Sequence, residues 1–396
     1  MELETNLIYC GDNLEVLAKF PDKSVDLIYA DPPFFSNKTY EIIWGNGAEM
    51  KVYEDRWRGG INVYIEWMKE RLWQCCRVLK DTGSIYLHCD WHANHRLRIA
   101  MDDIFDDRNF RNEIIWCYRQ GGRSNKIFGR KHDTILFYTK TNEWVFNADF
   151  VRVAYHGTGG YQTSGKGVTI GGRVYKPHQE GKISEDWWDI PALPPMDKER
   201  LGYPTQKPEA LLKRIIGASS NRGNMVLDPF AGGGTTLVVA HQLGREWIGI
   251  DVSPIACNKM KARLEKVGAT NIRIIGAPKT IPELKALEPF QFQNWVIDRI
   301  GGHGSTKKSS DMGIDGFTFM AREPIQVKQS EGIGRNVVDN FETAIRRQHK
   351  KCGYIIAFAF SKGAYEEAAR AKLEKDSLDI KLVRVDELDK YFPTST

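Results

Sequence analysis

Residues 224–236 read NMVLDPFAGGGTT: a short apolar run, a carboxylate and a proline, then three glycines and two threonines. Such a run, ending in Asp228 and breaking into a glycine turn, reads as a buried strand feeding a helix. Three other stretches have the same form, namely VDLIYADPP (25–33), GSIYLHCD (83–90) and EWIGIDVSP (246–254). All are apolar on both faces, as a parallel strand between two helix layers must be. Between them, Tyr64–Leu79, Pro208–Ala218 and Ser253–Val267 place apolar residues at three- and four-residue steps, the signature of amphipathic helices. Strand and helix in alternation predict an α/β doubly wound sheet, with ligands at the carboxyl ends of its strands.

Length extends this reading. The 396 residues exceed one ordinary core, so two or three domains are expected. A 41% hydrophobic and 27% charged composition excludes a disordered chain. There is no run of eighteen apolar residues, and MELETNLIYCGDN lacks a basic-then-apolar leader, so neither export nor membrane insertion is expected. The seven cysteines (Cys10, Cys75, Cys76, Cys89, Cys117, Cys257, Cys352) are odd in number and unpatterned, as for reduced thiols in a cytoplasm.

The net charge of +5 is unevenly spread. Residues 109–182 hold twelve Lys or Arg against five acids, a net of +7, leaving −2 for the rest. Glycine pairs, the strand-like runs TILFYT (134–139) and WVFN (144–147), and Tyr118, Tyr155, Tyr161 and Tyr175 accompany that charge. This combination predicts an inserted nucleic-acid surface over about 109–185, with Arg119, Arg123, Lys126, Arg130, Lys131 and Arg173 as candidate DNA contacts. Near Pro278 a proline-punctuated linker with one short helix precedes a third region. There FQFQNWVIDRIGG suggests a helix, while GIDGFTF, PIQVKQ and GYIIAFAF suggest strands. The expected division is 1–280 and 281–396.

Two motifs carry chemistry in the first part. Asp31-Pro32-Pro33-Phe34 follows a buried strand directly. An exocyclic amine of adenine is a poor nucleophile because its lone pair is delocalised into the ring. A carboxylate and a rigid backbone carbonyl, Asp31 and Pro32, both accepting from that NH₂ would draw it towards tetrahedral geometry, and Phe34 can stack on the base. Such a base has to be flipped out of its duplex. The second motif is the 228–236 turn, which lets a ligand approach the backbone and a helix N-terminus. It lacks the lysine of a phosphate-binding loop. Asp251 ends the next strand seventeen residues past Gly234, a spacing that suits ribose hydroxyls. The pair favours a nucleoside cofactor without phosphate. His88-Cys89-Asp90-Trp91-His92, with no second ligand pair in view, reads as polar pocket residues at a strand end rather than a metal site.

These residues resemble a β-class DNA amino-methyltransferase, S-adenosylmethionine-dependent and specific for adenine N6, over about Asn6 to Gly276. The resemblance implies a Rossmann-like sheet with circularly permuted motif order, catalytic motif first and glycine loop last. GDNLEVL (11–17) implies Asp12 near the cofactor adenine, and YPTQKPEALL (203–212) implies Thr205 and Lys207 near its methionine part. LDPFAGGGTT and IGID imply Asp228, Phe230, Gly232, Gly234, Thr235 and Asp251 as cofactor-binding residues, while Asp31, Pro32, Pro33 and Phe34 form the base site. Cytosine-N4 enzymes of this design carry Ser where Asp31 stands, which favours adenine. Cytosine-C5 chemistry needs a nucleophilic Cys, usually after Pro, and no Pro-Cys pair occurs.

Further on, Asp315 and Lys328 fall at adjacent strand ends, where a carboxylate can hold Mg²⁺ and a lysine can steady an attacking water. Asp311-x-Gly313-x-Asp315-Gly316 followed by Gln326-x-Lys328 resembles Mrr-type nucleases of the PD-(D/E)xK superfamily over roughly Phe290 to Val385. The resemblance implies Asp315, Gln326 and Lys328 as a catalytic trio, with Asp311 flanking. Phe292 is followed by Gln293 where that family offers Glu. The resulting expectation is a prokaryotic cytoplasmic restriction–modification protein acting on double-stranded DNA, with a nuclease-like domain that either cleaves or only binds. The competing readings are cytosine-N4 transfer and an inert DNA-binding protein. A homodimer is left open.

Overall fold

The computed structural model describes residues 3–36, 39–43, 49–54, 59–118, 125–154, 168–170, 173–175, 178–194, 197, 199, 206–304, 313–318, 321–374 and 376–392, the side chains of 39–43, 49–54, 168–170, 173–175 and 303–304 excepted. Its larger sheet has nine strands, in the order Trp187–Asp189, Phe110–Cys117, His132–Thr139, Leu79–Cys89, Val25–Ala30, Met225–Asp228, Glu246–Asp251, Leu7–Cys10 and Arg273–Ile275. Every neighbouring pair is parallel except those made by His132–Thr139, which runs against both its neighbours.

The two-faced apolar strands are covered on both sides. Ile28, Ala30, Ile85, Leu87, Leu227 and Ile250 pack with Met68 and Leu72 of helix Ile61–Val78 and with Leu97 and Met101 of helix Asn94–Phe105. The alternate residues Leu27, Tyr29, Tyr86, Val226 and Trp247 pack with Leu211 and Ile215 of helix Glu209–Ser219, Val238 of helix Thr235–Gln242 and Met260 of helix Pro254–Lys266. Helix Pro254–Lys266 starts where Ser253 accepts the Ala256 N–H and Pro254 supplies a fixed φ.

The stretch expected as a separate insertion from 109 departs from that expectation at its start. Phe110–Cys117 and His132–Thr139 belong to the main sheet, because Ile135 and Leu136 are apolar towards opposite faces and extend both cores. WVFN is not a strand. Trp144 lies under the Arg111 guanidinium at 4.0 Å, and Asn147 Nδ2 donates to the Gly217 and Ser220 carbonyls.

The second sheet has five strands, ordered His303–Gly304, Gly316–Phe317, Pro324–Lys328, Cys352–Ala357 and Asp379–Arg384. Helix Pro289–Arg299 covers one face through Phe292 and Val296, while Arg335–Arg347 and Lys362–Leu373 cover the other through Phe341 and Ala364. The short linker helix Ile281–Ala286 begins with a Thr280–Glu283 capping box. Ile255 and Ala256 of the first sheet's last helix share a core with Leu284, Phe292 and Val296, so the two sheets are joined by apolar packing. No helix among the described residues is long and apolar enough to cross a membrane.

Candidate functional site

Parallel strands place their carboxyl ends on one sheet edge. Asp12, Asp31, Asp228 and Asp251 follow or end four of them and meet around a cavity of about 330 Å³, with Phe230, Gly232, Lys207 and Trp67 also in its wall. That volume suits a nucleoside-sized ligand. Asp12 and Asp31 are each answered by a cationic side chain, Arg71 and Lys207, so the glycine-side acids Asp228 and Asp251 set the character of the rest of the wall.

The glycine side of the cavity is locked by its own acids. Asp228 accepts the Phe230 N–H at 3.0 Å through one oxygen and the Thr236 hydroxyl at 2.5 Å through the other. Asp251 accepts the Gly232 N–H at 2.9 Å and the Ser253 N–H at 2.8 Å. Burial pushes the Asp228 carboxyl up to about 7 and that of Asp251 up to about 6, although these bonds pull the other way. Gly234 caps the following helix at φ +75°, and a Cβ there would meet the Met260 side chain at 2.7 Å, so only glycine fits. Arg263 secures the turn from behind, donating to the Thr235 hydroxyl at 2.8 Å and the Gly233 carbonyl at 3.1 Å. Opposite, Asp12 accepts from Arg71 at 2.6 Å and from the Leu14 N–H at 2.7 Å. Arg71 itself lies over Trp67, whose ring centre is 6.0 Å from that of Phe230.

The other wall centres on Asp31. Its Oδ2 accepts from Lys207 Nζ at 2.5 Å, whereas the buried Oδ1 has no hydrogen-bond partner among the described residues. Oδ1 is 3.9 Å from Nδ1 of His88. That nitrogen lies 2.7 Å from the Tyr29 hydroxyl, and Nε2 lies 3.2 Å from Asp133, which also accepts from Tyr118 at 3.1 Å. Burial pushes the Tyr29 hydroxyl well above its usual range, reinforced by Asp31, Asp228 and Asp133. Burial also works against ionised Asp133, but His88, Lys207 and Tyr118 outweigh it and hold the carboxyl below its usual value. Phe34 has its ring centre 5.5 Å from His88 and 5.1 Å from Lys207 Nζ. The hydroxyl of Tyr64 donates to the Pro33 carbonyl at 2.7 Å and fixes the double-proline turn.

In the second sheet, Asp315 accepts the Val327 N–H at 2.7 Å, and its own N–H donates to the Ile325 carbonyl at 2.8 Å. These bonds bring it against the strand that carries Gln326 and Lys328. Burial pushes its carboxyl up to about 6, opposed by the Val327 bond and the Lys328 charge. Gln326 is buried, its Oε1 has no partner among the described residues, and Gly313 packs on its amide. Gln293 Nε2 donates to the Asp315 carbonyl at 3.5 Å.

The DNA methylase family model matches residues 25–262, about three-fifths of the chain, and contains the Asp31, Asp228 and Asp251 strands. The chain belongs to the DNA methylase family. Its restriction-endonuclease part, of the Mrr catalytic type, matches residues 284–392. A DNA adenine methyltransferase of Escherichia coli strain K12, YhdJ, is 34% identical over 63% of this chain and 79% of its own length. The type II methyltransferase M.BglII of Bacillus subtilis is 32% identical over 74% and 76%, and M.HpaI of Haemophilus parainfluenzae 32% over 65% and 74%.

In this DNA methylase, nine of the expected residues line the cavity together: Asp12, Asp31, Pro33, Lys207, Asp228, Phe230, Gly232, Thr235 and Asp251. Pro32 is buried, and neither it, Phe34 nor Gly234 lines the cavity. Thr205, Arg119, Arg123, Tyr155, Tyr161 and Asp311 lie outside the described residues, as do the side chains of Arg173 and Tyr175. Lys126 and Arg130 are exposed and Lys131 half-buried, but Tyr118, expected on the DNA surface, turns inward to Asp133. Asn13, Tyr29, Trp67 and Phe290 also line the cavity, and none was anticipated from sequence. Tyr29 could have been found from strand alternation, since it shares a face with Leu27 one step before Asp31.

Proposed function

We propose that this DNA methylase transfers a methyl group from S-adenosylmethionine to adenine N6 in duplex DNA. The observation that carries the reading is the buried, unpartnered Asp31 Oδ1 facing His88 in a cavity shared with the glycine turn. The donor set fits the cofactor: Asp251 accepts from ribose hydroxyls, Asp12, Trp67 and Phe230 surround the adenine, and the acidic wall suits a sulfonium. Bound there, the cofactor supplies a methyl group already activated for displacement. Asp31 Oδ1 accepts a hydrogen of the target amine, which draws the nitrogen towards tetrahedral geometry and frees its lone pair. Lys207 holds Asp31 in place through Oδ2, Tyr64 keeps the proline turn rigid, and the His88–Asp133 pair fixes the ring against which Phe34 packs. Positioning therefore supplies much of the rate. The adenine specificity of YhdJ supports the choice of base over cytosine N4.

The decisive test is Asp31→Ala. Titration should show cofactor binding retained, while N6-methyladenine in DNA from expressing cells falls about 10²–10⁴-fold, the range for a lost proton-accepting group. Transfer at the wild-type rate would refute the assignment. For the second site we propose Mg²⁺-dependent phosphodiester cleavage. Asp315 and the orphaned Gln326 Oε1 form an oxygen-donor set suited to that cation, and Lys328 would steady the attacking water.

A further inference from the structure

Beyond base capture, residues 125–131 form a loop that leads into strand His132–Thr139, beside the Asp31 wall. Cys117 pairs with His132, and the Tyr118 N–H donates to the Lys131 carbonyl at 2.9 Å, so residues 125–131 enter the sheet at that end. Cys89 pairs with Thr134, which places the His88–Asp90 strand end at the same edge. Arg130 lies over the Trp91 ring at 3.7 Å, and Trp91 stacks on His92 at 3.8 Å, fastening the root of the loop beside the catalytic wall. Within residues 125–131 Phe128 is 98% exposed, next to Ile127 at 58%. Lys126, Arg130 and Lys131 flank them.

We propose that Phe128 is the wedge that enters the base stack when the target adenine leaves it. The proposal rests on the reading of the pocket as an adenine-N6 site. Extruding a base opens a gap bounded by two flat apolar faces and, outside them, by phosphates. An aromatic ring with cations beside it in the chain suits that arrangement in shape and charge: the ring replaces the lost stacking and the cations meet the backbone. A duplex presents both, flat base faces and flanking phosphates, beside an extruded base.

The test uses the full-length protein and a duplex carrying the methylated site mapped by sequencing, with 2-aminopurine at the target position for a fluorescence arm. Wild type raises the fluorescence on binding. Phe128→Ala abolishes that rise and keeps duplex binding within about twofold, since the phosphate contacts remain. It methylates the matched adenine duplex at least about tenfold more slowly, because each unstacked step has lost its substitute. With the target adenine mispaired, the opening cost is largely met beforehand and the variant returns to within about threefold of wild type. Phe128→Trp preserves both properties. A wild-type rate for Phe128→Ala on the matched duplex overturns the proposal. So does an equal loss on matched and mispaired duplexes, which would make Phe128 a structural residue. If the wild-type protein methylates no duplex at all, the reading of the pocket fails and the wedge falls with it.

Discussion

Each of the two sheets sets a buried carboxylate near a lysine, and the contrast between the pairs separates two kinds of site. Lys207 bonds Asp31 directly at 2.5 Å, so the charge is compensated by the chain itself and the other oxygen is left without a hydrogen-bond partner among the described residues. Lys328 reaches Asp315 only through its field, burial still holds that carboxyl up at about 6, and the neighbouring helix offers the neutral Gln293. In the proposed reading a lysine of the chain answers the carboxylate of the first site, and Mg²⁺ would answer that of the second.

The largest expected effect breaks the comparison outright if it fails. Asp315→Ala should reduce Mg²⁺-dependent plasmid cleavage more than about 100-fold, the several kcal/mol that metal assistance supplies, with DNA methylation unchanged. Cleavage that persists, read on an agarose gel, would mean that the two sites do not divide the work. A smaller effect sharpens the comparison. Gln293→Glu adds the missing carboxylate, and the Mg²⁺ concentration for half-maximal cleavage should fall by up to about tenfold, because ligand charge sets affinity in oxygen sites. No change would place Gln293 outside the cation's reach.

The smallest effect is thermodynamic and belongs to the first sheet. Asp228, held at about 7, keeps its proton to higher pH in the fold than in the unfolded chain. Its contribution to stability is therefore full below about 4 and is lost as pH rises through about 7. Asp228→Asn keeps an acceptor for the Phe230 N–H and cannot ionise. Its melting temperature relative to wild type should rise by about 2–8 °C between pH 4 and pH 8. A constant difference across that range would show that Asp228 is not titrating in the fold.

Much of this was legible in sequence where chemistry sits on consecutive residues. The Asp31–Phe34 turn and the 228–236 turn could be read directly, because a strand end and a glycine loop need particular residues in a row. What was not legible came from chain neighbours far apart. Asp133 reaches His88 only because an antiparallel strand inserts beside Leu79–Cys89, a pairing no local pattern announces. Arg71 on Asp12 and Arg263 on Thr235 look in sequence like ordinary exposed helix arginines, yet both are buried to lock the cavity. The charge-rich stretch from 109 concealed two core strands, because a net count averages over residues that face opposite ways.

Helix Pro289–Arg299 has a consequence for how such a protein can be taken apart. Phe290 lines the methylase cavity, Phe292 two residues later sits in the nuclease-like core, and Asp298 near its end accepts from Asn258 at 3.1 Å. A cut at 280 therefore does not release two finished modules: it removes a panel from the pocket of the first. Swapping the second part for a relative's would succeed only if the newcomer brought an equivalent ring to that panel, so the two halves are constrained to change together.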